Sequence, residues 1–193
     1  LLLGNNKITT SKYSGTTLKS INNKIPNSEI TIIDTPGLIP DGRISDLISV
    51  ENGLKLVPAG EISRKTFKLE ENQVFMFDVF CRFKILGNEL LKSGSKPIFS
   101  AYASKSVKFH VAREERVETL LSGSFFEILE GSEKKKYFQN EFVTHEVEIE
   151  ENEELVIAGL GWINVKRGPL KIQLEVPEKV KVVIRPSIFR NKK

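Results

Sequence analysis

One cysteine, two histidines, one methionine and one tryptophan are all that 193 residues hold of those types. Each scarcity closes a class of function. With Cys81 alone, no intrachain disulfide can form and no cysteine zinc site can be completed. Cys81 sits in an apolar alternation and reads as a buried, inert thiol. His110 and His145 share no metal-ligand spacing and read as structural or surface residues. No apolar run approaches the roughly 18 residues of a membrane span; the longest is Leu155 to Ile163. The opening Leu-Leu-Leu-Gly has no basic segment and is too short for a signal peptide. A first residue that is not Met points to a piece of a longer protein, expected to be soluble and cytoplasmic. No tandem repeat or low-complexity segment stands out.

What is present is a globular composition, 39% apolar and 28% charged. A net charge of +4 says little by itself, but its distribution says more. Glu141 to Glu154 holds seven glutamates and no Lys or Arg, whereas Lys166 to Lys193 holds nine Lys or Arg against Glu175 and Glu178. Such asymmetry marks either a basic binding face or the solvated faces of strands.

The sequence "EITIID" reads as a short buried strand. "RISDLISVENGLKLV" can hold a helical turn or two with Ser45 as N-cap, and "VPAGEIS" marks a boundary. Beyond it, Phe77, Val79, Cys81, Phe83 and Ile85 share one face of a period-two run, the mark of a half-buried antiparallel strand. "KPIFSAYA", "KSVKFHV", "THEVEIE", "ELVIAGLGWINVKR", "LKIQLEV" and "KVKVVIR" continue as strands. "AREERVETLLSG" is the one convincing helix of this part, stopped by Gly123.

The chemically specific stretch is Asp34-Thr35-Pro36-Gly37, directly after the "EITIID" strand. A carboxylate at a strand end can hold the water shell of Mg²⁺, and a glycine three residues on lets a backbone N–H approach a γ-phosphate. Upstream, "SGTT" supplies Thr16 and Thr17 in a loop, the residue type that senses Mg²⁺ and γ-phosphate in GTPases. Yet the chain has no phosphate-cradling P-loop, and no guanine-reading Asn-Lys-x-Asp follows. The base-reading elements are then expected earlier, in the order of a circular permutation.

On "ITTSKYSGTTLKSI", "IIDTPGLI", "LKLVPAGEI" and "IAGLGWINV…EVPEKVKVVIRPSIF", the chain resembles the C-terminal portion of the YqeH family, circularly permuted GTPases of ribosome assembly. The resemblance runs over nearly the whole chain. It implies an α+β fold: part of a P-loop GTPase α/β domain at residues 1–57, then a mainly antiparallel β domain at 58–193. In the family this second domain is thought to resemble the RNA-binding fold of the tryptophan attenuator protein. Carried over, Thr17 and Asp34 are the Mg²⁺-side residues, Gly37 faces the γ-phosphate, and Thr16, Thr35 and Pro36 complete the nucleotide-binding set. Leu38 stands where related GTPases place a water-orienting Gln, and Ser14 stands where the family usually has Pro. A hydrophobic residue at Leu38 cannot polarise water, so hydrolysis would need another group, an ion or a partner. The implied cofactors are GTP or GDP with Mg²⁺ in the intact protein; this chain alone, lacking the P-loop and the family's zinc finger, is expected to bind none and to be inactive.

For the β domain, Lys166, Arg167, Lys171, Lys179, Lys181 and Arg185 are candidates for one phosphate-contacting face, directed at rRNA or the small ribosomal subunit and not at DNA or membrane. Trp162 and Phe109 can stack on bases, but Trp162 lies inside "VIAGLGWINV" and is read first as core. The leading expectation is a GTP-dependent switch passing from the Asp34 loop through 38–57 into the β domain. The alternative is a non-enzymatic RNA- or protein-binding module carrying a remnant nucleotide motif. A stand-alone metal enzyme on Asp34 is disfavoured, since no second carboxylate or histidine stands near it.

Overall fold

The computed structural model describes residues 21–25, 27–34, 40–87 and 93–189. The chain forms two compact units, 1–41 and 42–193. In the first, β1 (Ile21–Lys24) and β2 (Thr31–Asp34) form an antiparallel hairpin, with Asn27 in the left-handed region at φ 60°. Asn tolerates that conformation because its short amide bonds locally. The β2 strand is not buried here: Ile33 is 59% exposed.

The second unit opens with a 3-10 turn (Ile44–Leu47) and α1 (Val50–Leu56). The N-cap of α1 is Ser49 and not Ser45; its Oγ accepts from Asn52 N at 3.3 Å. Ten strands follow: β3 (Ser63–Lys68), β4 (Gln73–Phe77), β5 (Cys81–Ile85), β6 (Ile98–Ala103), β7 (Phe109–Arg113), β8 (Phe142–Ile149), β9 (Glu153–Ile157), β10 (Gly161–Arg167), β11 (Leu170–Pro177) and β12 (Val182–Pro186). Between β7 and β8 lie α2 (Val117–Ser122) and a second helix that the sequence did not announce, α3 (Gly131–Tyr137). With Gly-Ser at its start and three lysines in its last turn, α3 has little apolar periodicity to announce it. The protein is thus α+β, with two five-stranded antiparallel sheets.

Sheet I runs β7-β4-β5-β11-β8 and sheet II runs β12-β9-β10-β6-β3. Their inner faces meet on phenylalanines, Phe75, Phe77, Phe83 and Phe109 from sheet I against Phe67 and Phe99 from sheet II. The Phe67–Phe75 and Phe75–Phe99 rings stand edge-to-face, centroids 4.9 and 5.2 Å apart. Each such pair contributes about 0.5–1.5 kcal/mol beyond the area it buries. Cys81 is buried among them, and burial pushes its thiol well above the ordinary range.

The single strand read through Phe77–Ile85 is in fact a hairpin, broken at Asp78–Phe80. Asp78 adopts φ 53°, and its carboxylate accepts from Val79 N and Lys108 N at 3.0 and 3.1 Å. The "ELVIAGLGWINVKR" run breaks likewise at Ala158–Leu160, where Gly159 takes φ 73°.

These two hairpins are one structure used twice. Phe80 N donates to Phe77 O as Leu160 N does to Ile157 O; Asp78 N donates to Lys108 O as Ala158 N does to Lys181 O. Glu70 N donates to the Gln73 side chain as Glu150 N does to that of Glu153, both at 3.0 Å. Strands β3–β7 map onto β8–β12 one for one, and the mapping turns sheet II into sheet I. The registers agree: Tyr102 pairs with Arg64 and Trp162 as Glu175 pairs with Thr144 and Arg82. Residues 63–113 and 142–186 are therefore an internal repeat with exchanged strands, its clearest sequence trace being Glu70-Glu71-Asn72 and Glu150-Glu151-Asn152.

Candidate functional site

In the first unit the hairpin register sets Ile21 opposite Asp34. Ile21 is four residues after Thr17 in the sequence. Thr16, Thr17, Thr35, Pro36, Gly37 and Leu38 lie outside the described residues. Hard oxygen donors from Thr and Asp suit Mg²⁺. Among the described residues, no three His, Cys, Asp or Glu side chains gather in a metal-binding arrangement, and no helix is long and apolar enough to cross a membrane.

Shortly after that loop, the chain enters the core of the second unit. Gly42 O accepts from Lys181 N at 2.8 Å, and Ile44 N donates to Ala158 O at 2.9 Å. Ile44 and Leu56 are fully or nearly buried. Ser49 N and Asn52 Nδ2 both donate to Glu133 on α3 at 2.7 Å, and Ser104 Oγ donates to Lys55 O at 2.7 Å. Residues 42–57 are thus fastened to β9–β10, β12, α3 and the end of β6.

The six basic candidates do not share one face. Lys171 belongs to sheet I, cross-strand from Glu148. Lys166 and Arg185 lie on the outer face of sheet II; Lys179 and Lys181 belong to the turn before β12, and Arg167 is exposed at the end of β10. The alternation that exposes a lysine says nothing of which sheet it joins.

Trp162 is the larger correction. It stays out of the core and stacks on Tyr102 across the β6–β10 pair, centroids 5.0 Å apart and planes 5° from parallel. Phe189 stacks on the same Tyr102 at 5.1 Å. The Arg64 guanidinium lies 5.8 Å from the Tyr102 centroid, and Lys166 Nζ lies 5.9 Å from that of Phe189. Phe109, the other stacking candidate, is buried between the sheets.

Beside this stack Glu154 is fully buried. Its Oε1 accepts from Asn164 Nδ2, Ser187 Oγ and Ile188 N at 3.3, 3.1 and 3.2 Å, and its Oε2 accepts from Arg185 Nε at 3.1 Å. One carboxylate therefore holds the Arg185–Ile188 segment against the sheet. Two buried atoms of this face, Trp162 Nε1 and Asn164 Oδ1, have no hydrogen-bond partner among the described residues. Burial and the nearby Arg64 lower the Lys166 pKa, against the opposing pull of Glu154.

A family model described as "YqeH-like, C-terminal" matches residues 96–188, and one described as "50S ribosome-binding GTPase" matches residues 1–102. The chain belongs to the YqeH-like GTPase family. The "Uncharacterized protein YqeH" of Bacillus subtilis (strain 168) is 28% identical over 185 residues, covering 94% of this chain and 48% of that protein. The chain therefore spans about half the length of the curated relative it matches.

In this YqeH-like chain, the Gly-Leu-Gly-Trp segment joins the two features just described. Gly159 turns the hairpin with a positive φ, and a Cβ there would sit 2.7 Å from Arg43 Cβ. Gly161 lets Tyr102 O approach to where its Cβ would stand, 2.2 Å away. Trp162 then carries the stack. Sequence reasoning missed Arg64, Tyr102, Glu154 and Phe189. Their common signal is the cross-strand register, which a single strand's alternation does not contain.

Proposed function

We propose that this chain supplies the switch loops and the output domain of a GTP-binding protein acting in ribosome assembly. GTP and Mg²⁺ are bound when the rest of the nucleotide fold is present, with Thr16, Thr17, Asp34, Thr35, Pro36 and Gly37 on the metal and γ-phosphate side. The order of elements is that of a circularly permuted GTPase, working in the cytoplasm. The exposed Ile33 is a surface that the remaining nucleotide-binding strands would cover. The output partner is ribosomal RNA or a small-subunit protein. rRNA is also compatible with the ribosome-binding description of the matching family. The likeness to the tryptophan-attenuator RNA-binding fold belongs with this proposal.

The observation that carries the reading is the short path from Gly37 to the Gly42–Lys181 and Ile44–Ala158 backbone bonds. A loop ordered by γ-phosphate pulls on a segment already fastened to the β9–β10 turn. Hydrogen exchange on the protein at the full length of its relative, with a GTP analogue or GDP bound, tests it. The Ile44, Ala158 and Lys181 amides should exchange more slowly in the GTP state. Identical exchange beyond Val57 would defeat the coupling.

A further inference from the structure

The internal repeat offers a comparison within one molecule, because each position on the outer face of sheet II has an equivalent on sheet I. The two outer faces carry opposite chemistry. Where sheet II stacks Trp162 on Tyr102, sheet I has the Arg82–Glu175 ion pair at 2.6 Å. Where sheet II has Asn164, sheet I has Lys84, paired with Glu114 at 2.8 Å. On the outer strands, Arg64, Thr66 and Lys68 of β3 stand in place of Thr144, Glu146 and Glu148 of β8. Residues 114–138 also pack on sheet I, through Arg82–Glu118, Lys84–Glu114 and the Tyr137 hydroxyl on Phe80 O.

Sheet II therefore presents aromatic rings and cations where its equivalent presents compensated charge. Among the described residues no ion pair joins Arg64 or Lys166 to a carboxylate. Glu154, on the same face, is already committed to four donors. Two uncompensated cations beside stacked rings suit an anion that carries flat apolar groups. The unpartnered Trp162 Nε1 and Asn164 Oδ1 add an unsatisfied donor and acceptor at alternate positions of the same strand. Buried polar atoms without partners are rare and costly.

We propose that the outer face of sheet II binds unpaired nucleotides of single-stranded RNA, with bases adding to the stack at Phe189 and phosphates lodging by Arg64 and Lys166. This rests on the ribosomal reading above and narrows it to one face and one form of RNA. Stacking on aromatic side chains tolerates any base and needs the base unpaired, while the cations follow the backbone. Phe189, 43% exposed, is the open end of the stack. The Glu154 carboxylate, through Ser187 and Ile188, is what positions it.

Trp162 is the sole tryptophan, so its fluorescence reports on this face directly. The 193-residue chain is titrated with a single-stranded oligouridylate or oligoadenylate of about twelve nucleotides, and with an RNA duplex of equal length. Tryptophan emission and the anisotropy of labelled RNA are both followed. The single strands should quench Trp162 and bind more tightly than the duplex. Phe189→Ala and Lys166→Glu should each weaken binding by about tenfold, while Lys171→Glu on sheet I should leave it nearly unchanged. Equal affinity in Phe189→Ala and Lys166→Glu, duplex bound as well as single strand, or loss confined to Lys171→Glu would overturn the proposal. Binding to purified ribosomal subunits without binding to either oligonucleotide would also overturn it and favour a protein partner, leaving the ribosomal reading intact. Absence of binding to subunits as well would strike that reading itself.

Discussion

Replacing Glu154 by Gln keeps the shape of the side chain and removes its charge, at a site where four donors converge. The amide oxygen can take the place of Oε1 and keep the bonds from Asn164 Nδ2, Ser187 Oγ and Ile188 N, which then lose their charge assistance. The new NH₂ must then face Arg185 Nε, now 3.1 Å from Oε2, donor against donor. The Arg185 side chain is 41% exposed and can turn to water, so the cost stays below that of a wholly buried broken pair. Together these effects amount to about 2–3 kcal/mol. In a domain of this size that is a fall in Tm of roughly 5–10 °C. Thermal melts followed by circular dichroism and by Trp162 emission measure it, and hydrogen exchange at Ile188 localises it. A melting temperature unchanged in Glu154→Gln, with Ile188 exchanging as before, would refute the claim that this carboxylate anchors the tail segment.

Asp78 carries a second prediction, in pH. Burial raises its pKa from 3.8 to about 6, despite the opposing bonds from Lys108 N and Val79 N. The fold thus favours the neutral acid; this contribution is fully present below the unfolded pKa near 4 and is lost as pH rises through 6. The difference is about 3 kcal/mol between the two limits. In urea unfolding, Asp78→Asn should gain relative to wild type as pH goes from 4 to 8, and parallel pH profiles would sink the assignment. Gly159→Ala places a Cβ 2.7 Å from Arg43 Cβ at φ 73°, and should cost about 2 kcal/mol and loosen residues 42–44 toward proteolysis at Arg43. Gly60→Ala, with open space around it, is the neutral control.

Much of the strand content was legible because side chains alternate: Leu170, Ile172 and Leu174 face inward on β11, as their spacing requires. The Asp34-Thr35-Pro36-Gly37 motif stood out for a different reason, since the chemistry expected of it needs particular residues at fixed spacing; Thr35 to Leu38 lie outside the described residues. The turns at Asp78–Phe80 and Ala158–Leu160 were not legible. Val79, Phe80 and Leu160 are buried, so each turn continues the apolar run of its strands. Reading each hairpin as one strand also concealed the repeat, whose units match in hydrogen bonds rather than in residues. The aromatic face was lost for a related reason. Tyr102, Trp162 and Phe189 are far apart in sequence, and Trp162 sits among apolar neighbours that imply a core position.

The exchanged strands bear on how such a domain can come into being. The first repeat sends β4, β5 and β7 into one sheet and β3 and β6 into the other, and the second repeat does the reverse. A peptide of residues 63–113 alone leaves both sheets incomplete, with open edges at β5 and β6; two copies of it can close both by trading strands. The present domain has the design of such a swapped dimer joined into one polypeptide. Within that shared design the two outer faces differ: that of sheet I carries charge pairs and is packed by residues 114–138, and that of sheet II carries the Trp162–Tyr102–Phe189 stack.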